Sequence, residues 1–489
     1  MGVRRLDRLR GGAAGVALVT SAALAVPLGA ATGASAAGTA LSYVVNTRAN
    51  HGQVQKAERA VTAAGGTVVY AYEQIGVIVA RSTDPGFAAR LRGQNGIDSV
   101  GATRTAGIPA AVDDGTELVA APATAPADGS EPLEPEQWDL RQIGADQAHQ
   151  VTLGSRSVVV GVMDSGIDAT HEDLAPNVDP SLSASCINGG VPDTSWKSWQ
   201  PTTSDHGTHV SGTIAAARNG KGIVGIAPDV RLASIKVVDD GGFIYPEYAV
   251  CGFVWAAEHG VKVTNSSYFI DPWLYNCQSD PDQAAIVTAV RRAVEYSQHN
   301  GVLNVAAAGN FNTDMAHKST DTTSPDDSTP LSRPVDNGCL ELPAELPGVI
   351  AVSAVGSKGV KSFYSSYGAD VVTVAAPGGD SRFQLPDTPD HNGRVLSTVP
   401  GNKYGYKQGT SMATPHVTGV VALLASAHPW ASPAELTALL TAQAPPIACP
   451  AGPFDPDGTG AWRAVCEGSP ADNGFYGHGL IDANAAVRD

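Results

Sequence analysis

The sequence predicts an α/β fold, a mostly parallel sheet with helices on both faces, preceded by a small α+β module of ferredoxin-like order. Three observations carry this. Beyond residue 137, short continuous apolar runs alternate with longer segments of helical periodicity, as parallel strands covered on both faces require. Between residues 41 and 105 the order is β-α-β-β-α-β, the split-βαβ pattern. The chain has 489 residues, long enough for a large core beside a small module.

Residues 1–36 read as an export signal. Arg4, Arg5, Arg8 and Arg10 form a basic start, 11–29 an apolar run, and Ala34-Ser35-Ala36 a small-residue cleavage site. The run is short and rich in Ala and Gly, which disfavours a membrane anchor. No later stretch reaches the roughly 18 uninterrupted apolar residues of a span. Arg4-Arg5 leaves general and twin-arginine export both open. The mature protein is expected to be secreted, with no membrane anchor.

Residues 37–110 form the module: strands at 41–46, 67–72, 76–80 and 97–100, and helices at 53–64 and 84–92. It carries seven basic and four acidic residues, whereas the chain from Trp138 onward has 20 basic and 36 acidic. A basic module can dock electrostatically on an acidic domain. The net charge of −17 disfavours nucleic acid as a partner. Residues 111–133 are a linker. The wider stretch 106–137 has seven Asp+Glu and no Lys or Arg, a composition that predicts an unfolded, cleavable strip.

The large domain, 134–489, is expected to place strands at 157–163, 231–237, 261–265, 302–308, 349–355 and 371–375. Helices are expected at 206–217, 246–260, 281–300, 411–427 and 432–442. Ligands of such sheets bind beyond the carboxyl ends of the strands, where Asp164 and Asn310 fall. The six cysteines all lie after residue 180, and an even number in an exported chain predicts disulfides. Cys449 with Cys466 is the expected local pair.

Ser411, in Gly409-Thr410-Ser411-Met412-Ala413-Thr414-Pro415-His416, sits where a turn enters a buried apolar helix. Unpaired N–H groups and the positive helix end there favour negative charge on a nearby oxygen. Pro415 is expected in the first turn, where its missing N–H costs nothing. A lone serine in this place is usually an N-cap. Nucleophilic work requires a base beside it, generally a histidine oriented by a carboxylate. His206, in Asp205-His206-Gly207-Thr208-His209, and Asp164, in Val162-Met163-Asp164-Ser165-Gly166, are the candidates. Taken singly, a strand-end aspartate often just caps a turn. His206 and His209 as a metal pair have the wrong spacing and lack the glutamate of H-E-x-x-H.

Together these three segments, in the order Asp, His, Ser, resemble the subtilases, the subtilisin-like serine proteases, over about residues 134–485. The module resembles that family's inhibitor-like propeptide. The resemblance implies Asp164 as orienting carboxylate, His206 as general base then acid, and Ser411 as nucleophile, with no catalytic cofactor. His209 would pack behind the site. Ala306-Ala307-Ala308-Gly309-Asn310 resembles the segment whose asparagine donates to the oxyanion, alongside the Ser411 N–H. Ser267 and Tyr268 would offer main-chain groups to substrate, and Gly309 belongs to the same substrate-binding set. Phe269 stands where many relatives have glycine, narrowing nearby subsites. Leu342-Pro343-Ala344 resembles a wall of the first specificity pocket, beside Glu341. The polar insertion between Asn310 and Glu341 is expected to be a surface loop or lid. A structural calcium would be held by the Asp173 carboxylate, the Asn219 side-chain oxygen and the main-chain carbonyls of Ala217, Lys221 and Ile223, completed by Glu134 or Gln137.

The expected activity is that of a secreted serine endopeptidase, acting on protein or peptide substrates and made as a self-processing zymogen. Its own propeptide would serve as intramolecular chaperone and inhibitor. A dedicated processing protease for one substrate is a narrower form of that reading. A catalytically silent binding protein of the same shape is the alternative that a complete set of catalytic residues argues against.

Overall fold

The computed structural model describes residues 39–105, 116–119 and 129–488. The export-signal segment lies outside them. Leu41–Asn46 (β1), His51–Ala63 (α1), Thr67–Tyr72 (β2), Val77–Ser82 (β3), Phe87–Leu91 (α2) and Ser99–Ala102 (β4) build the N-terminal module. Its sheet runs β2-β3-β1-β4 with every pair antiparallel, as the split order requires. α2 is shorter than predicted. The Asp84 carboxylate takes the Gly86 N–H at 2.8 Å, and this local turn delays the helix.

Glu117–Val119 (β5) departs from the expected unfolded linker. It adds antiparallel to a hairpin of the large domain, and Arg394 pairs with Glu117 at 2.6 Å. Residues 106–115 and 120–128 lie outside the described residues.

The large domain is organised by Val159–Asp164 (β6), Ala184–Ser185 (β7), His206–Ala215 (α3), Arg231–Lys236 (β8), Pro246–Glu258 (α4), Val263–Ser266 (β9), Pro281–His299 (α5) and Leu303–Ala307 (β10). Val349–Val355 (β11), Val374–Pro377 (β12), Val395–Val399 (β13), Lys403–Lys407 (β14), Thr410–Ala427 (α6) and Pro433–Ala442 (α7) follow. Seven strands form one sheet in the order β12-β11-β10-β9-β6-β8-β7, every pair parallel. α3 and α6 share one apolar cluster with Val160, Val162 and Val305; α4 and α5 share another with Met163 and Ile235. Both faces of the sheet are thus covered.

The module joins the second cluster through Val44, Tyr72, Val77 and Val79. Charge supports the docking in both directions. Arg92 pairs with Asp282 at 2.6 Å, while Arg292 of the large domain pairs with Asp98 at 2.9 Å. Asp282 in the first turn of α5 also accepts the Ala102 N–H at 2.8 Å, which ties β4 to that helix.

The β13–β14 hairpin is absent from the sequence expectation. Its second strand, Lys-Tyr-Gly-Tyr-Lys, alternates two strand-forming tyrosines with lysine and a central glycine, which dilute the signal over so short a segment. Cys449 joins Cys466 as expected, and Cys186–Cys251 and Cys277–Cys339 complete the pairing.

Candidate active site

Three chain segments meet at the carboxyl edge of the sheet. Asp164 is the last residue of β6, fully buried, and its Oδ1 accepts the Ser165 N–H at 2.7 Å. His206 opens α3, and its Nδ1 lies 2.9 Å from both Asp164 oxygens. A carboxylate so placed fixes the ring and keeps the proton on Nδ1, which turns Nε2 into an acceptor. His209, one turn further, is fully buried with Nε2 on the Gly405 carbonyl at 3.0 Å. Burial holds its pKa down to about 3, so it stays neutral and packs behind the site.

Ser411 is the second residue of α6, and Pro415 therefore falls in the second turn rather than the first. The N–H that Pro415 lacks would have bonded the Ser411 carbonyl. That carbonyl instead accepts the Ser267 hydroxyl at 2.9 Å. The Ser411 hydroxyl donates to the Ser267 carbonyl at 3.0 Å.

Asn310 is held by its oxygen. Oδ1 accepts the Thr410 N–H at 2.8 Å and the Thr410 hydroxyl at 2.9 Å. This leaves Nδ2 to donate elsewhere. A Cβ built on Gly409 would stand 3.4 Å from Asn310 Nδ2 and 3.5 Å from the Ser411 N–H nitrogen. Asn310 Oδ1 is 3.6 Å from the same position, so the Asn310 amide and the Ser411 N–H are neighbours across Gly409.

Asp164, His206, Ser411, Asn310, Ser267, Tyr268, Gly309 and Glu341 all line one cavity of about 450 Å³. Glu341 is 1% exposed, and its Oε2 has no hydrogen-bond partner among the described residues. Burial, then the nearby Glu345, pushes its pKa well above the usual carboxylate range. Lys318 does not neutralise it, because that ammonium is taken by Glu345 at 2.6 Å. Gly309 (φ +90°) makes room: a Cβ there would approach Glu341 Oε1 to 3.0 Å.

Phe269 also lines the cavity, edge-on to Phe311 with centroids 6.1 Å apart, so the two rings narrow the cleft together. The insertion is not a loose lid. Thr320–Asp321 pairs with Arg333–Pro334, Arg333 pairs with buried Asp321 at 2.6 Å, and Cys277–Cys339 staples its base. From it Asp326 reaches the cavity beside Asp271. Burial pushes both pKa values up; the charge of Asp326 adds to the rise at Asp271, whereas the hydrogen bond with Asp271 offsets part of the rise at Asp326. Sequence reading missed both; the Asp326-Asp327 pair inside a long insertion was the available signal.

The loop from Ala217 to Ile223 does meet Asp173. The carbonyls of Ala217, Lys221 and Ile223 accept no hydrogen bond from a described residue. Asp173 is buried with no cationic partner among the described residues; its Oδ2 accepts the Ile223 N–H at 3.1 Å and the Tyr404 hydroxyl at 2.9 Å, and burial still raises its pKa to about 7. These groups suit a hard cation. Three details differ from expectation. Asn219 turns Nδ2 toward Asp173 at 3.3 Å, its Oδ1 taking the Lys221 N–H. Gln137 spends both amide ends on the Val224 backbone. Glu134 pairs with Arg218 at 3.3 Å.

Residues 155–479 match the family model described as Subtilase family. Fervidolysin of Fervidobacterium pennivorans is 33% identical over 382 residues, 74% of this chain and 45% of that protein. This chain thus spans less than half of fervidolysin's length. Subtilisin DY of Bacillus licheniformis is 30% identical over 351 residues, 72% of this chain and 98% of that protein. Among solved structures, fervidolysin superimposes with a TM-score of 0.62 at 27% identity, covering 92% of this chain and 61% of that one. The epidermin leader peptide processing serine protease of Staphylococcus aureus gives 0.67 at 21% identity, covering 92% and 98%, a likeness of fold.

Proposed function

The chain belongs to the subtilase family of serine endopeptidases, and from that premise we propose that Ser411 is its nucleophile, His206 its base and Asp164 the orienting carboxylate. The observation that carries this reading is the His206–Asp164 contact at 2.9 Å in a cavity that also holds Ser411 and Asn310. The Ser411 hydroxyl turns from the Ser267 carbonyl to His206 Nε2 and gives up its proton as Oγ bonds the scissile carbonyl carbon. The carbonyl oxygen becomes an oxyanion between Asn310 Nδ2 and the Ser411 N–H. His206 then hands its proton to the leaving amine, which departs as the carbonyl reforms. Water, deprotonated by the same ring, cleaves the acyl-enzyme and restores Ser411.

Ser267 and Tyr268 offer main-chain groups to an extended substrate, and Gly309 opens the pocket. Glu341 at its end selects Lys or Arg before the scissile bond, because a buried carboxylate without a partner is costly until a cation arrives. The narrowed, acidic cleft supports a processing enzyme for basic sites over a general digestive one.

The signal-like start and three paired disulfides support export. Residues 37–110 act as chaperone and inhibitor, removed by a cut within 106–137. Calcium belongs to this reading as a structural ion: Asp173 and the carbonyls of Ala217, Lys221 and Ile223 would hold it and tie the exit of α3 to the domain. A serine-directed phosphonate should label the wild type and leave Ser411→Ala unlabelled. Equal labelling of both would end the serine assignment.

A further inference from the structure

We propose that Glu247, Tyr245 and Asp239 form a second recognition station of the cleft, for a basic side chain of the substrate upstream of the scissile bond, and that Arg104 of the N-terminal module occupies it. The proposal rests on the catalytic reading above and names the substrate class more closely.

Arg104 ion-pairs with Glu247, whose side chain is fully buried, and its guanidinium lies 3.7 Å from the centroid of the Tyr245 ring. Only 12% of the arginine side chain is exposed. A flat cation between a carboxylate and an aromatic face is a recognition arrangement, stronger where water is excluded. The seat holds more negative capacity than one arginine uses. Glu247 Oε2 and Asp239 Oδ2 are both buried without a hydrogen-bond partner among the described residues. Once the module leaves, Glu247 has lost its only ion-pair partner among the described residues while remaining in the wall. The vacated carboxylate, set beside the Tyr245 face and Asp239, keeps the geometry that an incoming guanidinium or ammonium would fill.

The station adjoins the cleft without itself lining the cavity. The loop between β8 and α4 that carries Asp239 and Tyr245 lines the catalytic cavity through Gly241, Phe243 and Ile244. After Arg104, the Thr105 N–H bonds Asp327 at 2.8 Å, next to Asp326 in the cavity wall. Thr105, the last described residue of the module's chain, is thereby held beside the cavity wall. Arg104 precedes every bond of residues 106–137, so in self-cleavage it lies on the acyl side. A substrate running the same way would set its own basic residue in the same seat, with Glu341 reading a second one.

The test uses mature enzyme, shown by N-terminal sequencing to lack the module; a separate aliquot is tested for labelling by a serine-directed phosphonate, and the kinetics use the untreated protein. A peptide series keeps one cleavable bond and moves a single arginine, or norleucine as its uncharged counterpart, along the upstream positions. At one position the arginine peptide should exceed the norleucine peptide in kcat/KM by about tenfold. Glu247→Gln should bring that ratio to about twofold or less. Asp239→Asn, should Glu247→Gln fail to melt cooperatively, is expected to lower it in the same direction. Fluorescence anisotropy of the same two peptides scores the station independently of turnover. A ratio near one in the wild type, in turnover and in binding, overturns the station, as does a ratio that both variants leave unchanged. Protein that binds the arginine peptide selectively but neither labels nor cleaves overturns the catalytic reading instead.

Discussion

Ser267 and Ser411 exchange hydrogen bonds: each hydroxyl donates to the other's carbonyl, at 2.9 and 3.0 Å. The exchange exists because Pro415 withholds the N–H that would otherwise satisfy the Ser411 carbonyl. It fastens the start of α6 to the segment that follows β9, so Ser411 and the Ser267–Tyr268 segment are positioned as one unit. Ser267→Ala leaves a buried helix carbonyl unsatisfied. Denaturant unfolding should show a loss of about 1–3 kcal/mol. kcat should fall more than KM rises, since the main-chain groups that hold substrate remain.

Asn310→Ala removes the amide whose Oδ1 is tied to Thr410 and whose Nδ2 is left to donate to the developing oxyanion of the proposed mechanism. kcat should drop by about 10²–10³ with KM nearly unchanged, a magnitude carried over from donor removal in a subtilisin. Steady-state kinetics on one peptide decides it. A loss borne mainly by KM would give Asn310 a binding role instead.

Glu341 makes a pH-dependent prediction. Its pKa is raised by burial, so the empty pocket holds the neutral acid at low pH and the carboxylate only as pH rises. KM for a peptide with Lys or Arg before the cut should therefore fall with rising pH, relative to a peptide with an apolar residue there. The paired comparison cancels any pH dependence that the two peptides share. Glu341→Gln should abolish the difference at every pH, and large apolar residues alone before the cut in the wild type would exclude the assignment.

Asp173 predicts how calcium and pH combine. Its folded pKa of about 7 exceeds the ordinary carboxylate value, so the folded state binds the extra proton between the two. Without calcium, this group's contribution is fully present below about pH 4, the unfolded pKa. It is lost as pH rises toward 7. Calcium needs the ionised form and displaces that proton. The rise in melting temperature on adding calcium should be larger at pH 8 than at pH 5.5, and Asp173→Asn should largely remove it. Equal melting curves in calcium and in excess chelator would leave the site without an ion.

Much of this was legible because burial writes itself into sequence. β6 and β11 are continuous apolar runs, and each was readable to within two residues. Ser411, His206 and Asp164 were readable because their neighbours are small or glycine, as close approach requires. What was not legible depends on distant partners. β5 is three residues of an acidic linker, and nothing local says that β14 will receive it. Asp271 and Asp326 are 55 positions apart and meet only because the insertion is stapled to the domain. The Arg104 seat joins two separate layers, and its charge looked like general basicity. Pro415 misled for a related reason: its place in the second turn is tolerated only because Ser267 supplies the missing donor.

Self-processing separates an active zymogen from an inert scaffold of the same shape. If Ser411 is the nucleophile, it should cut its own chain within 106–137, the stretch that joins the module to the large domain. β5 lies inside this stretch and is held by only three residues of pairing, so it offers little resistance to release once cut. Ser411→Ala keeps size and packing nearly intact while removing the attacking oxygen. That variant should be secreted with residues 37–110 still attached, and mass spectrometry of the purified protein reads this directly. Asp164→Asn should process slowly rather than not at all, because a wrongly oriented imidazole still leaves some catalysis. The module should stay docked in the uncut form through Arg92–Asp282 and Arg292–Asp98, so high salt should loosen it without cleaving it. Purified Ser411→Ala that loses residues 37–110 at the wild-type rate, with no other protease present, would refute the assignment.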